Sequence, residues 1–76
     1  MQSYQQVTLE IMEEIPNLGK KDPQKFFWSI KKEQPERFER LRFDTNGYEP
    51  YSDVLSDIMF DLYMAGLYVR PSRYEK

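Results

Sequence analysis

Pro50 and Ser52 constrain the fold of this chain most, because they end one segment and begin an amphipathic helix over residues 53–66. Ser52 is suited to cap that helix, since its hydroxyl accepts a backbone N–H that the first turn leaves without a partner. Asp53 then places a negative charge at the positive end of the helix dipole. The apolar positions recur at helical spacing and end near Gly66. They are Leu55, Ile58, Met59, Leu62 and Ala65.

The N-terminal segment predicts a first helix over Tyr4–Ile15. Ser3 and Gln6 have the spacing of a capping box, in which each side chain pairs with the backbone N–H of the other residue. We expect Pro16 to end the helix, because the residue before a proline is disfavoured in helical geometry.

A second helix is predicted from Asp22-Pro23 to about Glu33. Aspartate is a good N-cap, and proline is tolerated at the first helical position because its missing N–H is not needed there. A short third helical segment is predicted over residues 36–40, directly after Pro35.

Two short strands are also predicted. Leu41 and Phe43 alternate with arginines over residues 40–43, which is the period of a strand. The tail over residues 67–70 is rich in β-forming side chains, and Pro71 would confine it to an edge position or end it. We find no internal repeat and no second domain.

Together these elements predict a single, mostly α domain over residues 1–76, with three to four helices and at most a minor two-stranded β element. A winged-helix-like arrangement fits this order, and the alternative is a four-helix cluster with irregular tails. The core is predicted from the apolar helix faces. Its members are Val7, Ile11, Phe26, Phe27, Ile30, Leu55, Ile58 and Leu62.

A resemblance adds to this interpretation. The segment Phe43-Asp-Thr-Asn-Gly-Tyr-Glu-Pro-Tyr-Ser52, the helix after it and Met64-Ala-Gly-Leu-Tyr-Val69 resemble a pattern of bacterial winged-helix-like modules, including antitoxin-type Panacea domains. Those modules have a Gly-Pro-Tyr-Ser turn, a helix and a step into a strand, and Glu49 stands here where the pattern usually has glycine. The lysine-containing stretch from Gly19 to Phe27 is similar to the preceding helix, so the resemblance spans residues 19–69 and implies a winged-helix-like fold.

Composition argues against catalysis and against most cofactors. The 76 residues include no cysteine, so a thiolate metal site is excluded. They also include no histidine, which is the commonest general base and metal ligand. The stripe of Asp53, Asp57 and Asp61 is expected to be a solvated acidic face, because no calcium-type loop accompanies it. We therefore expect no enzyme activity, no cofactor and no metal. No apolar run approaches a membrane span, and the lack of cysteine favours a cytoplasmic protein.

Charge is distributed unevenly along the chain. Residues 20–42 hold eight basic and four acidic residues, for a net charge of +4, whereas residues 43–61 hold five acidic residues and no basic one. Ordinary solvated faces explain most such patterns. A basic and an acidic side of one binding surface is the functional alternative.

Two groups of residues are candidates for binding a partner. Trp28 lies on the opposite side of the second helix from Phe26, Phe27 and Ile30, among lysines. It either packs under another element, or anchors a protein partner, or stacks on an unpaired base while the lysines contact phosphates. The first group is Trp28, Lys25, Lys31 and Lys32.

The second group begins with Phe60 and Met64, which project away from the apolar face of the last helix. Either a second element covers them, or they form an apolar patch rimmed by acidic side chains. The aromatic and basic residues of the tail are added as candidates. They are Tyr68, Arg70 and Arg73.

We expect a small, non-enzymatic binding or regulatory protein that acts through protein–protein contacts. Two copies related by a two-fold axis are the simplest self-associated form. The alternative is a nucleic-acid-binding winged-helix-like module, which the net charge of −2 disfavours.

Overall fold

The computed structural model describes residues 2–47 and 49–69 of the protein. Within them the chain forms three helices: α1 over Tyr4–Leu18, α2 over Pro23–Glu33 and α3 over Asp53–Met64. The prediction of a small, mostly α domain is therefore confirmed.

Helix α1 begins as predicted and ends three residues later. Ser3 and Gln6 form the expected capping box. Pro16 lies inside the last turn, so the prediction that it ends the helix was wrong. A proline disfavours helical geometry at the residue before it but does not forbid it. Leu18, two residues after Pro16, is fully buried and holds the last turn of the helix against the core. Gly19 ends the helix at φ +58°, a conformation that glycine adopts without steric cost.

Helix α2 begins at Pro23 and ends at Glu33, as predicted. Pro23 occupies the first turn, but the Asp22 side chain makes no capping hydrogen bond. Phe27 is buried at the centre of the domain, and its ring makes edge-to-face contacts with Phe26 and Phe38, with centroids 5.1 and 5.2 Å away. Such pairs add stabilisation beyond the apolar area that they bury.

Helix α3 begins with the cap that the sequence predicts. The Ser52 hydroxyl accepts the backbone N–H of Leu55 at 3.3 Å. Gln24 of α2 clamps the same residue, because its side chain accepts the Ser52 N–H at 2.8 Å and donates to the Ser52 carbonyl at 3.1 Å. These bonds connect the beginning of α3 to the beginning of α2.

The C-terminus of α3 is closed by a Schellman motif. The Leu67 N–H donates to the Leu62 carbonyl at 2.9 Å, and the Gly66 N–H donates to the Tyr63 carbonyl at 3.1 Å. Gly66 has φ +79°, the left-handed conformation that this motif requires. Capped at both ends, α3 is a well-defined element.

The segment between α2 and α3 differs from the prediction. Residues 35–40 form consecutive turns instead of a third helical segment. Residues 40–43 form no strand, and neither do residues 67–69. In the described part of the chain the β structure is one antiparallel bridge between Asp44 and Tyr51, with N···O distances of 2.7 and 3.0 Å. Leu41 is buried and Phe43 is half-buried against the core, whereas Arg40 and Arg42 are exposed, so the alternation reflects two anchored side chains without a paired strand.

The core is built from all three helices and the intervening segment. Phe26 and Ile30 of the predicted set are half-buried against it, and the other six predicted members are buried. The residues missing from the prediction come mainly from helix ends and irregular segments. They are Leu18, Phe38, Leu41, Met59 and Tyr68.

Candidate protein-interaction surface

Trp28 and Lys32 interact with each other on the surface of α2. The Lys32 Nζ lies 3.9 Å from the centre of the Trp28 ring, in the geometry of a cation–π contact. Trp28 is half-buried. One face of the indole ring is therefore occupied by a side chain of its own helix.

Lys31 has a structural role that the sequence did not indicate. Its Nζ donates to the backbone carbonyls of Pro35, Arg37 and Phe38, at 3.3, 3.2 and 3.1 Å. Phe38 is fully buried at φ +53°, a left-handed conformation that costs a residue other than glycine roughly 1–2 kcal/mol. The ammonium group gathers the carbonyls of this turn, so it helps to hold the chain in that conformation.

Lys25 is paired as well. Its Nζ lies 2.8 Å from a carboxylate oxygen of Glu49, and both side chains are exposed. The hydrogen bond to Glu49, and then the charge of that carboxylate, raise the pKa of Lys25. Each of the three candidate lysines thus has a partner within the chain.

The side of α3 that faces solvent carries large apolar side chains that remain exposed. Phe60 and Met64 are 56% and 67% exposed, and Asp53 and Asp57 on the same side are also exposed. These four residues are four, three and four positions apart, so they form one stripe along the helix, which we call the outer stripe of α3. Leu55, Ile58 and Leu62 on the opposite side are buried.

Other apolar side chains lie at the edges of the outer stripe. Tyr63 is 43% exposed and sits between Phe60 and Met64 along the chain, while Leu67 directly after the helix is 53% exposed. Phe60, Tyr63, Met64 and Leu67 have the spacing i, i+3, i+4 and i+7. The sequence analysis did not select Tyr63 and Leu67 as binding candidates, although their helical spacing from Phe60 and Met64 was visible in the sequence.

An open groove of about 610 Å³ adjoins Phe60. Its lining includes Tyr51, Met59 and Tyr68 together with Lys20 and Lys21. Tyr68 is only 8% exposed, so it belongs to the core and offers little surface to a partner. Arg70 and Arg73 lie outside the described residues.

The other side of the outer stripe is bordered by α1. The Tyr4 hydroxyl donates to a carboxylate oxygen of Asp61 at 3.3 Å. Burial, and then the charge of Asp61 and its hydrogen bond, raise the pKa of Tyr4.

Arg37 joins the irregular segment to α1, which sequence reasoning also missed. Its guanidinium Nη2 lies 3.0 Å from a Glu14 carboxylate oxygen, and its Nε lies 4.0 Å from one of Glu10. Hydrogen bonds from Asn17 and then Arg37 lower the pKa of Glu14.

Residues 2–47 and 49–69 contain no group of three acidic side chains placed to hold a metal ion together. None of their helices has the length and apolar character needed to cross a membrane. No protein-family model matches the chain, and no significant match was found among curated proteins or solved structures.

Proposed function

We propose that this chain is a small, non-enzymatic binding protein that contacts another protein through the outer stripe of α3 and the apolar side chains beside it. The observation that carries the proposal is the exposure of Phe60 and Met64, one turn apart. Adjacent large apolar residues on a surface favour burial against a partner, because apolar area removed from water contributes roughly 25 cal/mol per Å².

The rigidity of α3 also supports this function. Leu55, Ile58 and Leu62 anchor the inner side of the helix in the core, while Ser52 and Gly66 close its two ends. The backbone of such an element is fixed before binding, so less backbone entropy is lost when a partner docks.

The alternative is a winged-helix-like module that binds nucleic acid. The net charge of +4 over residues 20–42 favours it, as do the exposed lysines Lys20 and Lys21 beside the groove. The pairing of Lys25, Lys31 and Lys32 within the chain weighs against it. Binding to phosphates by this segment would be strongly salt-dependent, because neutralised phosphates release counterions.

Site-specific photo-crosslinking in lysate of the source cells tests the proposal. A benzophenone amino acid at position 64 should give a discrete protein adduct that persists after nuclease treatment. Phe60→Glu should abolish the adduct while leaving the helical circular dichroism spectrum and the melting temperature unchanged.

Leu9→Glu provides the matched control, because Leu9 is 61% exposed on α1 but has Gln5 and Glu13 as its neighbours one turn away. It should leave the adduct intact. An adduct that Phe60→Glu leaves unchanged, or one that nuclease removes, would contradict the proposal. In the second case, sensitivity to Lys20→Glu with Lys21→Glu would favour nucleic acid.

A further inference from the structure

The outer stripe of α3 has the spacing of a helix-pairing seam. Asp53, Asp57, Phe60 and Met64 alternate by four and three residues, and all four are exposed. In paired helices, residues with this alternation form the line of contact with the neighbouring helix. A single helix of about three turns laid along α3 would cover the stripe.

The stripe is divided into an acidic half and an apolar half. Asp53 and Asp57 occupy the N-terminal half, whereas Phe60 and Met64 occupy the C-terminal half. Helix α3 contains no lysine or arginine, and within the described part of the chain neither Asp53 nor Asp57 has a salt-bridge partner. The described residues therefore leave this half without a complementary charge, which a basic segment of a partner can supply.

Resting on the proposed function, we propose that the partner is an amphipathic helix of another protein that lies antiparallel to α3. The N-terminal half of its contact stripe is apolar and packs on Phe60 and Met64. The C-terminal half carries lysine or arginine and faces Asp53 and Asp57. The antiparallel direction follows from the helix dipole, because basic side chains are most favourable in the last turn of a helix.

A second copy of this chain fits the stripe less well. Parallel pairing would place Asp53 and Asp57 against the same residues of the other copy, and like charges repel. Antiparallel pairing centred on Phe60 and Met64 would place Asp57 beside residue 67 of the other copy, beyond the end of its α3 at Met64, so the acidic half would face no helix.

Three fluorescent helical peptides test the inference by anisotropy titration at low and physiological salt. The first has leucines along the contact stripe in its N-terminal half and lysines in its C-terminal half. In the second the lysines are replaced by glutamates, and in the third the two halves are exchanged. The wild-type protein should bind the first peptide roughly tenfold more tightly than the second, with the third between them.

Charge reversal on the protein is the decisive comparison. Asp53→Lys with Asp57→Lys should reverse the preference between the first two peptides. The matched control is Glu13→Lys with Glu36→Lys, which makes the same change in net charge at exposed positions outside α3 and should leave the preference unchanged. Circular dichroism verifies that each variant is folded, which is needed because Asp53 also stabilises the N-terminus of its own helix.

The outcomes separate this inference from the proposed function. If all peptides bind equally and Phe60→Glu with Met64→Glu abolishes binding, the surface binds helices but the inferred charge of the partner is wrong. If no peptide prefers the wild type over that double variant, the helix-pairing inference is wrong, and the crosslinking experiment still decides the proposed function. If sedimentation shows a wild-type dimer that the double variant loses, the occupant is a second copy and the inference is overturned.

Discussion

The surface of α2 and the outer stripe of α3 were both candidate binding surfaces from the sequence, but their side chains differ in the contacts that they make within the chain. On α2, Lys31 and Lys32 have carbonyls and a tryptophan ring as partners within the chain. On α3, Phe60 and Met64 remain exposed. A long, flexible cation reaches a local partner easily, whereas an apolar side chain on a rigid helix is covered only if a second element crosses it. An exposed apolar stripe is therefore the stronger indication of a binding surface.

The largest expected effect compares the two sides of α3. Leu62→Ala should lower the free energy of unfolding by about 2–5 kcal/mol, because it leaves a cavity under a nearly fully buried side chain. Met64→Ala on the outer stripe should change it by less than about 0.5 kcal/mol. Urea melts of both variants measure the difference, and equal losses would mean that Met64 belongs to the core.

The next effect concerns the structural lysine of α2. Lys31→Met should lower the free energy of unfolding by about 1–3 kcal/mol, because the carbonyls of Pro35, Arg37 and Phe38 lose a charged donor. Lys32→Met on the exposed side serves as the control and should lose less. The same urea melts measure both variants. An unchanged free energy of unfolding in Lys31→Met would show that the turn does not depend on this lysine.

A smaller effect depends on pH. The pKa of Glu14 is lowered in the folded protein, from an ordinary value of 4.5, by Asn17 and Arg37. Its contribution to stability is therefore fully present above the unfolded pKa and is lost as the pH falls through the folded value. Between pH 6 and pH 3, the wild type should lose more stability than Glu14→Gln in thermal melts. Parallel losses in the two proteins would contradict this assignment.

The smallest effect is expected at the exposed ion pair between Lys25 of α2 and Glu49 of the segment before α3. Lys25→Ala should leave the urea midpoint unchanged within error, because solvent screens an ion pair between two exposed side chains. Glu49→Ala should behave in the same way. A clear loss in either variant, restored by exchanging the two residues, would show that this pair fastens the segment before α3.

The helices were predictable because their signals are local. The capping box of Ser3 and Gln6, the proline at the beginning of α2 and the Ser52 cap each involve residues within a few positions of one another. The outer stripe of α3 follows from the same periodicity, since residues opposite a buried side must point away from it.

The segment from residue 34 to residue 51 was not predictable in the same way. Phe38 adopts a left-handed conformation in the core, and Arg37 reaches back to Glu10 and Glu14 of α1. These contacts join residues more than twenty positions apart, so local propensity carries no signal for them.

Sequence alone thus determined where the helices begin and which of their sides are apolar, because both depend on neighbours within one or two turns. Only the tertiary structure decided that Lys31 is a structural donor, that Tyr68 joins the core and that Phe60 and Met64 stay exposed. Those outcomes depend on which distant segment packs over each side chain. The path of the chain between the helices determines which segment that is.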